Sequence, residues 1–290
     1  MRRLIYAVDH AIFAPLPAAP LGAARALLGL SCLMAWSFTL PRLGALYGPG
    51  GAAAIFGSPR GAHWTEGALL PLEIGLLVGS LGLMLGAWTR TSALLLAACH
   101  TALIGRLDTW TWGWGTTTPL FVLLVAFGGG GAAASVDAWR AGGRRPGAAV
   151  GPAEISGWGP RLLWVHMGCI YLAAAWHRVD DEAWLTGHIL WEALTSGVFS
   201  RWVALDFTSV AGPLRFLAYF AWGLELAAPL LLLLRPTRAL TAALCIGLHA
   251  GLEISTTVGW WQFIMGSCLC AALPAELWRP VLHRLLGPRG

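Results

Sequence analysis

The chain alternates long apolar runs with short polar breaks. Eight runs lie near residues 21–40, 68–88, 91–106, 116–134, 160–177, 212–234, 238–254 and 258–277. A helix needs about 20 apolar residues to cross the hydrocarbon core of a bilayer. The pattern therefore predicts an all-α integral membrane protein, a bundle of about eight transmembrane helices; the third and seventh runs are short and flanked by polar residues. After the fifth run, HILWEALTSGVF from His188 to Phe199 has an amphipathic period, which predicts a short helix lying along the membrane interface. An even number of crossings places both termini on one side.

Composition agrees with the pattern. Residues are 57% hydrophobic and only 11% charged, with a mean hydropathy of +0.66, whereas about a quarter of the residues of a soluble domain are charged. The net charge of +5 comes from arginine alone, since the chain has no lysine, and the 19 arginines are scattered over many short loops. Nucleic-acid binding, which needs basic groups gathered on one face, is a poor reading. The arginines do orient the bundle. With the N-terminus inside, the outer side collects Arg42, Arg60, Arg106, Arg178, Arg201 and Arg215, and the other thirteen of the 19 fall inside. Both termini are thus expected in the cytoplasm, by the positive-inside rule.

The longest Gly/Pro-rich linker, residues 135–159, reads as a cytoplasmic loop inside one domain, and the expectation is a single transmembrane domain over 1–290 with no soluble C-terminal domain. The N-terminal MRRLIYAVDHAIFAPLPAAP is interrupted by Asp9, His10 and prolines and does not read as a cleaved signal peptide. All six cysteines lie in apolar runs, where thiols behave as small hydrophobes. DTWTWGWGTTTP reads as part of an aromatic belt, GGGGAAA as a site of close helix approach, and Trp260 and Trp261 as interfacial anchors.

Candidate chemistry comes from ionisable groups inside apolar runs, because a charge at membrane depth costs at least about 2.5–3.5 kcal/mol and faces a cavity or a partner. Arg25, Glu73, His100, His166, Glu225, His249 and Glu253 qualify. His249 and Glu253 stand four apart and share a helix face, so the carboxylate could orient the imidazole. Such a pair serves equally as a packing hydrogen bond, and a metal site would need further ligands, with His166 or His100 as the candidates. The densest stretch is IYLAAAWHRVDDEAWLTG, residues 170–187, where a membrane-like helix end runs into His177, Arg178, Asp180, Asp181 and Glu182.

Six stretches, taken in order, resemble one family: ARALLGL, GSLGLMLGAWTRTS, ASVDAWR, IYLAAAWHRVDDEAWLTG, LELAAPLLLLLRPTR and LHAGLEISTTVGWWQFIM. They are similar to the membrane domain of the vitamin K-dependent γ-glutamyl carboxylases and their bacterial relatives, the horizontally transferred transmembrane (HTTM) family. The resemblance covers nearly the whole chain. It implies a bacterial inner-membrane protein with Tyr171, Trp184, Gly187, Glu225 and His249 in family positions around an outward-opening cavity. It also implies a quinone or membrane lipid as ligand and a thiol-disulfide oxidoreductase-like protein as a possible partner. The carboxylases carry two adjacent lysines in the central motif, one of them regarded as the base that deprotonates vitamin K hydroquinone. Here those positions hold His177 and Arg178, with one extra residue before Trp184. Arginine keeps its proton, and the histidine that supports the reacting oxyanion in the carboxylases has no counterpart in WGWGTTTP. Classical carboxylation is not expected.

Two readings of the site follow. In one, a membrane enzyme acts on a quinone or other isoprenoid-like lipid, with His177 as acid/base, Arg178 holding an anionic group, Asp180 or Asp181 orienting them, and His249 with Glu253 lining the far wall. In the other, a non-catalytic binding or accessory protein pairs Arg178 with Asp180, Asp181 or Glu182, and the cluster only fixes the helix end. A transporter is a weaker third, since no inverted repeat is evident.

Overall fold

The computed structural model describes residues 2–49, 51, 65–104, 113–144 and 153–286, and among them the chain is all-α with one two-residue strand pair. Asp108–Trp112 of the tryptophan-rich stretch, residues 145–152 of the linker, Arg60 and Arg106 lie outside the described residues. Each of the eight apolar runs contains a helix. In chain order these are α2 (Ala18–Thr39), α4 (Glu66–Leu85), α5 (Thr89–Ile104), α6 (Gly113–Phe127), α8 (Trp158–Trp176), α11 (Ala211–Leu231), α12 (Arg235–Ser255) and α13 (Trp261–Leu269). Shorter helices lie between and beyond them: α1 (Arg2–Phe13), α3 (Leu43–Tyr47), α7 (Val136–Ala141), α9 (Glu182–Leu185), α10 (Ile189–Thr195) and α14 (Ala275–Leu286). Strands β1 (Leu16–Pro17) and β2 (Glu154–Ile155) pair antiparallel.

Among the described residues, three helical segments are long and apolar enough to cross a membrane: Ala18–Tyr47, Gly67–Leu85 and Thr208–Leu231. Two apolar runs form shorter helices than their length suggested. In the 116–134 run, α6 stops at Phe127, where Gly128 to Gly131 follow and Gly129 takes a positive φ of 104°. In the last run, α13 and its 3-10 extension end at Ala272, because Pro274 cannot continue the hydrogen-bond ladder. Within 188–199, where a helix along the membrane interface was expected, the structure has the seven residues of α10, with Leu194 buried.

The chain divides into two compact units, Met1–Pro160 with Pro274–Gly290, and Arg161–Leu273. The first is built around α2, which buries Ala24, Leu28, Cys32, Ala35 and Trp36, while α4 leaves Leu70, Ile74 and Val78 exposed as a lipid-facing stripe would. Arg25 of α2 is fully buried. Its guanidinium donates to the carbonyls of Leu83, of Met84 at 2.6 Å, of Gly130 at 3.1 Å and of Ala134 at 2.5 Å. Four carbonyls, two of them at the electronegative C-terminus of α4, thus take the place of a carboxylate partner.

Gly86 makes that arrangement possible. It caps α4 at φ 65°, so that the N–H of Ala87 reaches the carbonyl of Gly82 at 2.9 Å, and a Cβ at Gly86 would lie 2.8 Å from Arg25 Cζ. The next helix is capped from a distance: Asp137 accepts the N–H groups of Trp88 at 2.9 Å and Thr89 at 2.8 Å and the Thr89 hydroxyl at 2.7 Å. Burial pushes the Asp137 carboxyl up, but these hydrogen bonds and the nearby Arg140 outweigh it and hold the group below its ordinary value. Arg140 in turn stacks 4.4 Å from the Trp88 ring centroid.

The second unit comprises most of α8 and all of α9 to α13. Gly168 lets α8 approach α11 closely, since a Cβ there would stand 3.0 Å from Pro229 Cα. The segment after α10 is fastened to the end of α12: Arg201 donates to the carbonyls of Glu253 and Thr256, each at 2.8 Å, and Trp202 Nε1 to that of Ile254 at 2.9 Å.

Candidate functional site

The apolar helix α8 ends by tightening. The N–H of His177 still bonds the carbonyl of Ala173 at 3.1 Å, and then Arg178 and Val179 bond those of Ala175 and Trp176 in three-residue turns. Asp181 begins the next element, its carboxylate accepting the N–H of Ala183 at 2.9 Å as the N-cap of α9. Gly187 then turns the chain at φ 73°, with Arg215 and Tyr219 of α11 occupying the space a side chain would need. Tyr219 donates to the carbonyl of Leu185 at 2.9 Å, and Arg215 meets His188 at 2.6 Å. The charge cluster is therefore seated on α11.

That seating gives Arg178 its partner. Its guanidinium forms an ion pair with Glu225 of α11, and its Cζ lies 3.9 Å from the centroid of the Trp184 ring. The Arg178 side chain is 22% exposed and that of Glu225 only 7%, so the pair is shielded from water on its acidic side. Trp222, one turn before Glu225, donates its indole N–H to the carbonyl of Ala175 at 3.1 Å. Arg178 thus lies between the Trp184 ring and the Glu225 carboxylate.

Seven residues before Arg178, about two turns down α8 on the same face, Tyr171 is buried and its hydroxyl lies 2.9 Å from Nε2 of His249 on α12. Nδ1 of His249 meets Oε1 of Gln262 at the start of α13. With the amide oxygen placed there, Nδ1 carries the proton and donates to Gln262, and the Tyr171 hydroxyl donates to Nε2. Cys245, one turn before His249 on α12, also lies against Tyr171. The result is a neutral hydrogen-bonded string over α8, α12 and α13, able to take up or pass one proton.

The structure brings together Arg178, Trp184 and Glu225 in one group and Tyr171 and His249 in another. It separates others. His249 does not pair with Glu253; that carboxylate meets Arg201 at 2.5 Å, because the loop after α10 brings an arginine to the end of α12. Arg178 pairs with none of its sequence neighbours Asp180, Asp181 and Glu182, since the turn after α8 directs it onto α11. His177 and Asp180 are exposed. His100 belongs to the first unit, 3.1 Å from the carbonyl of Gly115 and edge-on to Trp36. Gln262 and Trp222 join the site without having been singled out in the sequence. Gln262 carried the same signal as His249, a polar side chain in an apolar run, but being neutral it was not among the ionisable candidates.

Comparison with curated proteins gives no match, and comparison with solved structures gives none. One family model matches from Phe13 to Pro274, described as the HTTM domain. That span contains both the Arg25 cluster and the polar residues of the second unit, and the chain is a member of the HTTM domain family.

Proposed function

We propose that this membrane protein binds an amphiphile with a polar or anionic head, a quinone or a lipid, in an outward-opening cavity of the second unit. The single observation that carries this reading is the two-tier polar face of α8. Arg178, held by Glu225 and stacked on Trp184, supplies a cation at the helix end, and Tyr171 with His249 supplies a neutral hydrogen-bonded pair two turns deeper. A quinone carbonyl that takes the place of Gln262 accepts the hydrogen bond of His249 Nδ1, and an anionic head pairs with the cation. Arg178 already has a carboxylate partner, which favours binding over catalysis. The second reading is an enzyme in which the acid/base role falls to His249, favoured by its contact with Tyr171; His177 is exposed.

Titration with a decyl-tailed benzoquinone, of protein held in neutral nanodiscs, tests the proposal. Saturable binding is expected, weakened about tenfold by His249→Phe, on the order of one lost hydrogen bond to a buried group. Binding that does not saturate, or is the same in His249→Phe, contradicts it. Classical vitamin K-dependent carboxylation is not expected, because Arg178 remains protonated and the chain has no lysine to act as base.

The proposed topology has eight crossings with both termini on the cytoplasmic side of a bacterial inner membrane. A helix in each apolar run and the thirteen-to-six division of the 19 arginines support it. Crossing at the short α13 requires the bilayer to thin locally. Reporter fusions at Asp206 and at Gly290 should report opposite sides, and the same side for both would contradict the topology. A thiol-disulfide oxidoreductase-like partner belongs to the proposal on the strength of the resemblance alone.

A further inference from the structure

A second cationic group lies elsewhere in the second unit, and neither tier of the α8 site uses it. Arg161 and Trp164 stand three apart near the start of α8, and Arg235 and Arg238 three apart in the first turn of α12, so each pair shares a helix face. The two faces meet where Arg238 Cζ lies 3.7 Å from the centroid of the Trp164 ring. Arg238 donates through Nε to the carbonyl of Leu232 and through Nη2 to that of Leu233, both at 2.8 Å, and so closes the end of α11. Arg161 and Arg235 are near enough for their charges to repel Arg238.

Three like charges at one corner oppose one another. Among the described residues no acidic side chain forms an ion pair with Arg235 or Arg238. Arg235 is exposed, and at the same end of α12 the first turn offers the N–H groups of Arg235 and Thr237, Pro236 having none. The Trp164 ring under Arg238 is buried, and its Nε1 has no hydrogen-bond partner among the described residues. Guanidinium groups, an indole N–H and a helix N-terminus are all donors, and all favour an oxyanion. The corner also lies at helix ends, where lipid headgroups are found, and basic pockets between membrane helices bind acidic headgroups.

We infer that Arg161, Arg235 and Arg238 form a binding site for a phosphate-bearing anion, supplied in the membrane as the headgroup of an acidic phospholipid. The guanidinium of Arg238 is held by the end of α11 and stacked on Trp164, so it is ordered before the anion arrives. Arg161 and Arg235 approach from the two helices on either side. An anion at this corner relieves the repulsion among the three arginines and ties α8, α11 and α12 together at one end.

The test uses full-length protein in a neutral detergent, titrated with phosphatidylglycerol, with phosphatidylcholine of the same chains, and with inorganic phosphate. Wild-type protein should bind phosphatidylglycerol saturably and more tightly than phosphatidylcholine. Arg235→Gln should weaken that binding about fivefold, the effect of one arginine near a lipid surface. Among the described residues the Arg235 side chain makes no hydrogen bond that the fold would lose, so this variant decides the matter where Arg238→Gln could also loosen α11. Inorganic phosphate that binds with the same dependence on Arg235 supports the site with a free anion as its ligand; binding of the lipid alone supports it with the headgroup. Equal affinity of Arg235→Gln and wild type for phosphatidylglycerol, or equal affinity of the wild type for phosphatidylcholine, overturns the inference.

Discussion

Replacing Glu225 with Leu while Arg178 remains should destabilise the protein by about 3–5 kcal/mol, the usual consequence of leaving one member of a buried ion pair alone. Glu225 is only 7% exposed, and among the described residues the guanidinium it holds forms no ion pair with a second carboxylate, Asp181 acting on it only at longer range. Stacking on Trp184 orders Arg178 but does not neutralise it. The double variant Arg178→Met/Glu225→Leu removes both charges and should recover most of the loss, since apolar residues of similar volume replace buried pairs at little cost. Thermal unfolding of the purified single and double variants in detergent checks both statements. Equal Tm for Glu225→Leu and wild type would mean that Arg178 finds water or another anion when its partner is gone.

Arg25→Leu should have an effect of similar or greater size in the first unit. The substitution removes this donor from the carbonyls of Leu83, Met84, Gly130 and Ala134; Leu83 keeps the N–H of Gly86 at 3.1 Å, and each of the other three left unsatisfied costs about 1–3 kcal/mol. Even at the low end the sum is about 3 kcal/mol, a large part of the stability of an ordinary domain. Arg25→Lys should rescue little, because an ammonium cannot reproduce the planar fork that reaches four acceptors. The measurement is the monodisperse yield after size exclusion, together with Tm. A well-folded Arg25→Leu protein with unchanged Tm would show that the four carbonyls are satisfied in another way.

These two residues also mark what the sequence disclosed and what it did not. Each of the eight apolar runs holds a helix among the described residues, because the hydrophobic period is local. The same property hid the ends: Gly128–Gly131 and Pro274 stop α6 and α13 inside runs that are still apolar, and hydropathy does not register a missing hydrogen-bond donor or a positive φ. The six family-like stretches were visible as separate motifs, but not their grouping. The Arg of ARALLGL, the helix end in GSLGLMLGAWTRTS and the strip around ASVDAWR converge through Arg25, Gly86 and Asp137. The other three converge through Arg178 with Glu225 and Tyr171 with His249.

Partner choice was the least legible part. Spacing of four on a helix suggested His249 with Glu253, yet the nearer alternative in space for each came from another element, Gln262 for the histidine and Arg201 for the carboxylate. Likewise, one of the two readings of the five ionisable groups in six positions had Arg178 pair within its own loop. The turn after α8 and the positive φ of Gly187 instead fold that loop against α11, where Glu225 waits in apolar surroundings. Long-range pairing of this kind depends on tertiary geometry, which no local spacing encodes.

The central claim is that the two tiers of α8 line one amphiphile site. Its most direct test is photo-crosslinking of the wild-type protein in membranes with a quinone bearing a photoreactive group on its ring, followed by peptide mapping. The account predicts adducts on the stretches around Tyr171 to Gly187 and His249 to Gln262, suppressed by excess unlabelled quinone and reduced in His249→Phe. Adducts spread over the exposed apolar stripe of α4, or adducts at the predicted stretches that excess quinone does not suppress, would contradict it.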